Sequence, residues 1–149
     1  MNNAVELHKI SVSEMDNQCY LLCAGNEALL IDASADAPAL LSLAEDHGVT
    51  ITAVLTTHRH WDHVRALEEV LDKTGATHYA SFLDSPALPA PVDVDATTCA
   101  RPCCYKQPTL LLQALQEATT FATMGVRRGL LFATLARVFC YHSCMILLH

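Results

Sequence analysis

The run Thr57-His58-Arg59-His60-Trp61-Asp62-His63 constrains this chain more than any other segment. It packs three imidazoles and a carboxylate into six consecutive positions, 58 to 63. Ile51-Thr52-Ala53-Val54-Leu55-Thr56 leads into it and has the β-branched, apolar content of a strand. Val64-Arg65-Ala66-Leu67-Glu68-Glu69-Val70-Leu71 follows with helical spacing of its apolar residues. A rigid strand end, an open loop and an anchoring helix form the setting in which a dense donor cluster holds a metal.

Side chains two residues apart on extended backbone point the same way. His58 and His60 therefore share one side, and Trp61 points elsewhere, as a wall or lid. Asp62 and His63 fall where the chain turns toward the helix and face a second point nearby. The expectation is two half-sites, one His/His and one Asp/His. Imidazole and carboxylate donors suit zinc, with iron or manganese as alternatives. Two such ions about 3.5–4 Å apart can bridge a hydroxide and stabilise a tetrahedral oxyanion. A solvated histidine-rich loop is the plain alternative, and the strand–cluster–helix context argues against it. His8, His47 and His78 are expected to be ordinary surface or core residues.

The surrounding pattern is α/β. Val5 to Val12 reads as a strand, and Cys19-Tyr20-Leu21-Leu22-Cys23 as a buried one. Gly25-Asn26 marks a two-residue turn into Ala28-Leu29-Leu30-Ile31. Ala37 to His47 is helical and stops at Gly48. Glu69 and Lys73 form an i,i+4 pair on the wet face of the next helix, which Gly75 ends. Thr77-His78-Tyr79-Ala80 is a further strand, and Pro86, Pro89 and Pro91 mark a loop. The order β-β-β-α-β-α-β makes an α/β layer arrangement.

The formal net charge of −7 argues against a nucleic-acid-binding surface. It also averages over a break. Residues 1–98 carry 15 acidic and 4 basic side chains, whereas residues 99–149 carry 1 acidic and 5 basic. Cys99, Cys103, Cys104, Cys140 and Cys144 lie in that last third, with spacing that suits neither a disulfide framework nor a zinc finger. Residues 108–120 and 126–139 read as helices. The amino terminus shows no basic and apolar leader, so a cytoplasmic location is expected. The segment 129–148 is apolar enough to suggest membrane association of the tail. Arg137 near its middle costs roughly 2.5–3.5 kcal/mol on insertion scales, which disfavours a spanning helix.

The motif from Thr57 to His63 resembles the His-x-His-x-Asp-His signature of the metallo-β-lactamase-fold hydrolases. The Trp before the Asp and the Thr-Thr before the first His look most like the glyoxalase II (hydroxyacylglutathione hydrolase) branch. The resemblance runs from about Val5 to Asp95. It includes the Leu30-Ile31-Asp32 strand end, where the family's Asp-x-Gly reads Asp32-Ala33-Ser34. It implies the N-terminal half of an αββα sandwich. It also implies that His58 and His60 bind a first metal and that Asp62 and His63 bind a second, with Asp62 also orienting the nucleophilic water. Family members attack thioesters, esters, lactams or phosphodiesters with a metal-bound hydroxide. The glyoxalase-like branch implies a small-molecule thioester substrate of the hydroxyacylglutathione type and up to two zinc ions.

The family's second half brings a third His in a His-Thr-Pro-Gly-like turn, a bridging Asp and a final His. After Asp95 this chain has only His142, His149 and the single carboxylate side chain of Glu117. Two parts are therefore expected: a metallo-β-lactamase-like half-domain over 1–95, and an unrelated, apolar, cysteine-rich, helical tail over 96–149. The tail would be the product of a frame break, a missed splice or a fusion. A hydrolase with impaired activity is one expectation. A truncated or chimeric chain that keeps half a metal site and hydrolyses nothing is the other.

Overall fold

The computed structural model describes residues 5–96. They form one six-stranded sheet whose strands lie in sequence order. The strands are β1 (Val5–Val12), β2 (Asn17–Ala24), β3 (Glu27–Ile31), β4 (Thr50–Leu55), β5 (Thr77–Ala80) and β6 (Val94–Asp95). β1, β2 and β3 pair antiparallel, and β3 to β6 pair parallel. Short hairpins join the first three strands. Crossovers through α1 (Ala37–Asp46) and α2 (Leu67–Thr74) join β3 to β4 and β4 to β5. Parallel neighbours require such crossovers, because the chain must return to the starting edge before pairing again.

Local chemistry sets most of these boundaries. Gly25, at φ +67, takes the left-handed backbone of the two-residue turn between β2 and β3. Asp36 caps α1 by accepting from the Ala39 amide at 3.1 Å, and a proline sits in the first turn, where no backbone donor is needed. Gly75, at φ +64, closes α2 with its amide on the Leu71 carbonyl at 2.8 Å. The expected helix start at Val64 needs correction. Trp61–His63 is a single 3-10 turn, and α2 begins only at Leu67. The Ala66 amide is diverted to the Ala33 carbonyl at 3.0 Å, which pins the start of α2 to the end of β3.

The sheet is apolar on both faces. Cys19, Leu21 and Cys23 of β2 and Ala28 and Leu30 of β3 join α1 residues Ala37, Leu40 and Ala44 and α2 residues Leu67 and Val70 in one core cluster. Leu22, Leu29, Ile31, Ala53, Leu55 and Ala96 form a second cluster on the opposite face, with Tyr20 and Tyr79 against it. A register shift between Ala28 and Leu29 leaves Thr52 without a partner on β3. That bulge changes the phase of β4, so Ile51 and Val54 face the helices while Ala53 and Leu55 face away. Runs such as Ala28-Leu29-Leu30-Ile31 carry no alternation because both of their faces are buried.

The observed order matches the expected α/β layer arrangement over residues 5–96, with β6 added at the edge. The helices expected over 108–120 and 126–139, the apolar segment 129–148, the five tail cysteines and the proposed part 96–149 lie outside the described residues, apart from Ala96. Among the described residues no helix is long and apolar enough to cross a membrane.

Candidate metal centre

The donor cluster sits at the carboxyl ends of the parallel strands β3 and β4, a common position for sites in α/β sheets. Asp32 follows β3 directly and is 5% exposed. Its amide donates to the Leu55 carbonyl at 2.9 Å, which locks the two strand ends together. Asp32 adopts φ +59, a left-handed backbone that Asp tolerates better than most residues. That turn brings its carboxylate under the histidine loop.

Asp32 is the hub of the loop. Its Oδ1 accepts from the Thr57 amide at 2.8 Å and from Thr57 Oγ1 at 3.0 Å. Its Oδ2 accepts from Thr57 Oγ1 at 2.7 Å and from His63 Nδ1 at 3.0 Å. A carboxylate can only accept, so His63 carries a proton on Nδ1, and its neutral form has the lone pair on Nε2. Thr57 gives its hydroxyl proton to Asp32 and so accepts from His58 Nδ1 at 2.9 Å. His58 is thereby held in the same tautomer, with Nε2 available. Fixing the ring orientation and tautomer of a histidine ligand is what second partners of metal-bound imidazoles do.

Donor atoms of Asp32, His58 and His63 all lie within 4.8 Å of one another. Both Asp32 oxygens are engaged by the bonds above, so Asp32 orients His63 directly and His58 through Thr57. The His58 ring lies 4.1 Å from that of His63 and 4.7 Å, edge-on, from that of His60. Asp62 Oδ2 lies 3.5 Å from His63 Nε2. The structure thus gathers all four residues expected from the sequence into one loop cluster, with His58 against both His60 and His63. Imidazole and carboxylate, the residue types gathered here, suit a divalent transition ion.

The electrostatics of the cluster differ from group to group. Burial, and then the neighbouring His63, push the His58 imidazole below its ordinary range. The hydrogen bond to Asp32 raises His63 despite partial burial. Burial works to raise Asp62, but the Asn17 hydrogen bond and the adjacent histidines outweigh it and hold the carboxyl low. A His58 imidazole that resists protonation and an Asp62 carboxyl that stays ionised are in the states a metal requires of its ligands, whereas His63 takes up a second proton more readily.

The rim is apolar and cationic. Trp61 is 64% exposed, with the Arg65 guanidinium 5.5 Å from its ring centroid. Arg59 reaches Asp84 at 3.8 Å, which ties the histidine loop to the segment carrying exposed Phe82 and Leu83.

Asp32 was visible in the sequence only as a strand end, and its role as hub was not. Thr57 gave one cue, its place next to His58. Asn17 gave none, since a polar residue after a hairpin turn is unremarkable and its bond to Asp62 spans 45 residues. His78 is buried, with its imidazole bonded to Thr56 Oγ1 at 2.9 Å and to the Pro91 carbonyl at 2.8 Å, a structural role. His8 and His47 stack on each other with ring centroids 3.5 Å apart, on strand β1 and at the C-terminal end of α1.

Comparison with known proteins agrees with this geometry. Residues 13–100 match the family model described as the metallo-beta-lactamase superfamily. A hydroxyacylglutathione hydrolase of Fuscovulum blasticum is 39% identical over 80 residues, which are 52% of this chain and 31% of that protein. One from Rhodospirillum rubrum is 34% identical over 88 residues, 58% of this chain and 34% of that protein. The chain therefore spans about a third of the length of these relatives. Among solved structures, the BLEG-1 B3 metallo-beta-lactamase superposes with a TM-score of 0.52 at 27% identity, covering 54% of this chain and 39% of that one.

Proposed function

This chain belongs to the metallo-beta-lactamase superfamily, and from that premise we propose that it is a metal-dependent hydrolase whose substrate is a small-molecule thioester of the hydroxyacylglutathione type. The superfamily supports hydrolysis, and the hydroxyacylglutathione hydrolases among its relatives support the thioester. The observation that carries the reading is the Asp32 hub. One buried carboxylate orients His63 directly and His58 through Thr57, and leaves both Nε2 atoms free. A solvated histidine loop has no need of that order.

His58 and His60 would hold a first divalent ion, and Asp62 and His63 a second. Zinc suits these donors, and iron or manganese are the alternatives. When bound, such ions lower the pKa of water and offset the negative charge that develops on a carbonyl oxygen. The protein's own contribution is positional. Asp32 and Thr57 hold the two imidazoles in one tautomer, and Asn17 holds Asp62. Asp62, part of the site and partly exposed, can accept a proton from an attacking water or orient it. Exposed Trp61 offers an apolar wall beside the cluster, and Arg65 stacked on it adds a positive charge suited to an anionic substrate.

A second reading rests on a different observation. His58, His60, Asp62 and His63, the four expected ligands, all come from one loop and give only two to each expected ion. Closed zinc sites use four protein ligands and catalytic ones three. A chain that binds metal weakly and turns over nothing fits that count.

The two readings part on one experiment. Purified chain reconstituted with zinc is assayed on lactoylglutathione, with and without chelator, alongside His58→Ala. A chelator-sensitive rate lost in His58→Ala supports the hydrolase. Metal binding that depends on His58 with no turnover supports the second reading.

A further inference from the structure

The β1–β2 hairpin reaches across to the histidine loop through one side chain. Asn17 is the first residue of β2 and pairs with Val12 across the hairpin. Its Nδ2 donates to the Asp62 carbonyl oxygen at 2.7 Å and to Asp62 Oδ2 at 3.2 Å. A bond to the carbonyl alone would only tie the hairpin to the loop. The second bond acts on the carboxylate, and on the same oxygen that lies 3.5 Å from His63 Nε2. One amide therefore sets both the backbone and the side-chain rotation of Asp62.

The hairpin is built to hold that amide still. Asp16, at φ +55, bonds the Ser11 hydroxyl through Oδ1. The same residue accepts from the Gln18 side-chain Nε2 on its carbonyl at 2.9 Å and on Oδ1 at 3.1 Å. Asp16 and Gln18, on either side of Asn17, are thus bonded to each other, and Asn17 and Gln18 are held in the β1–β2 ladder. A free Asp62 would rotate between solvent and His63, and ordering it would cost side-chain entropy when an ion arrives. Asn17 removes that freedom in advance.

We propose that Asn17 is a positioning residue for Asp62, pre-setting its carboxylate as a metal donor beside His63. This deepens the metal reading above and rests on it. His58 and His63 have their partners in Asp32 and Thr57, on the strand ends beneath the loop. Asp62 takes its partner from the β1–β2 hairpin, which contributes none of the four expected ligands. Outer partners of metal ligands typically contribute about 10–100-fold to metal affinity, and the effect here should fall in that range.

The test uses the full chain and Co²⁺ alone as probe. Cobalt held by imidazole and carboxylate is distinguished by its absorption from cobalt held by cysteine thiolate, so binding by the cysteines does not confuse the readout. Wild type, Asn17→Ala, Asp62→Ala and the double variant are titrated, and each is unfolded in urea. Should Asn17→Ala fail to fold, Asn17→Ser takes its place, since its hydroxyl is too short to span to Asp62. The expected result is a loss of cobalt affinity of about tenfold or more in Asn17→Ala. The double variant should bind no more weakly than Asp62→Ala, because both changes remove one interaction. Additive losses, or wild-type affinity in Asn17→Ala beside a clear loss in Asp62→Ala, would overturn the positioning role and leave the metal site standing. Wild-type affinity in Asp62→Ala would remove Asp62 from the metal donors, and the role of Asn17 with it; loss of cobalt binding in His58→Ala would then still uphold the metal reading.

Discussion

Asp32 Oδ2 and His63 Nδ1 meet at 3.0 Å across 31 residues of sequence. The contact joins the end of β3 to the end of the histidine loop. It is at once a fold contact and a site contact, since the same carboxylate also holds the Thr57 amide and hydroxyl. Removing it should therefore show in stability and in metal binding together.

Asp32→Ala removes the carboxylate that accepts from the Thr57 amide, Thr57 Oγ1 and His63 Nδ1 near a buried position, and strains a left-handed backbone. The expected cost is about 2–4 kcal/mol, read as a lowered urea midpoint. Asp32→Asn tolerates the same φ and keeps one acceptor, so it should cost less. Equal stability of wild type and Asp32→Ala would remove Asp32 from the centre of this account.

Metal dependence follows from the donor set. His58→Ala and His60→Ala should each weaken zinc binding by at least about tenfold, measured by elemental analysis after equilibrium dialysis. His47→Ala should leave it unchanged, because His47 stacks on His8 away from the cluster. A chain that retains its zinc in the absence of both His58 and His60 would show that the ligands lie elsewhere.

His78 should make stability depend on pH. Burial holds its imidazole below the ordinary value of 6.5, although the Pro91 carbonyl works against this. In the unfolded chain the same group protonates near 6.5. The unfolded state thus binds more protons as pH falls. The contribution is complete above about pH 6.5 and is lost as pH drops from there toward the lower folded value. Urea midpoints at about pH 7.5 and 5.5 should differ more for wild type than for His78→Gln. An unchanged difference would assign the acid sensitivity to other groups.

The core offers a calibration. Leu30 is fully buried between α1, α2 and the sheet. Leu30→Ala should cost about 2–5 kcal/mol in urea unfolding. Lys73→Ala breaks the exposed 2.7 Å pair with Glu69 and should cost no more than about 0.5 kcal/mol. Comparable losses in the two variants would mean that the helices are held by their surface charges rather than by burial.

Much of this protein was readable from residue order alone, because the signals involved are local. Gly25 and Gly75 punctuate where a left-handed backbone is needed, and the unbroken apolar run Ala28-Leu29-Leu30-Ile31 announces a strand buried on both faces. His58, His60, Asp62 and His63 lie within six positions, and one loop brings them together wherever it sits. Contacts that depend on chain reversal were not readable. The Thr52 bulge shifts the phase of β4 only because β3 pairs with it. Tertiary structure alone brought Asp32 to the histidines and Asn17 onto Asp62, in side-chain bonds that span 31 and 45 positions. Residue order could list the donors, but the tautomers and rotations that make them usable depend on partners that meet only once the sheet has formed.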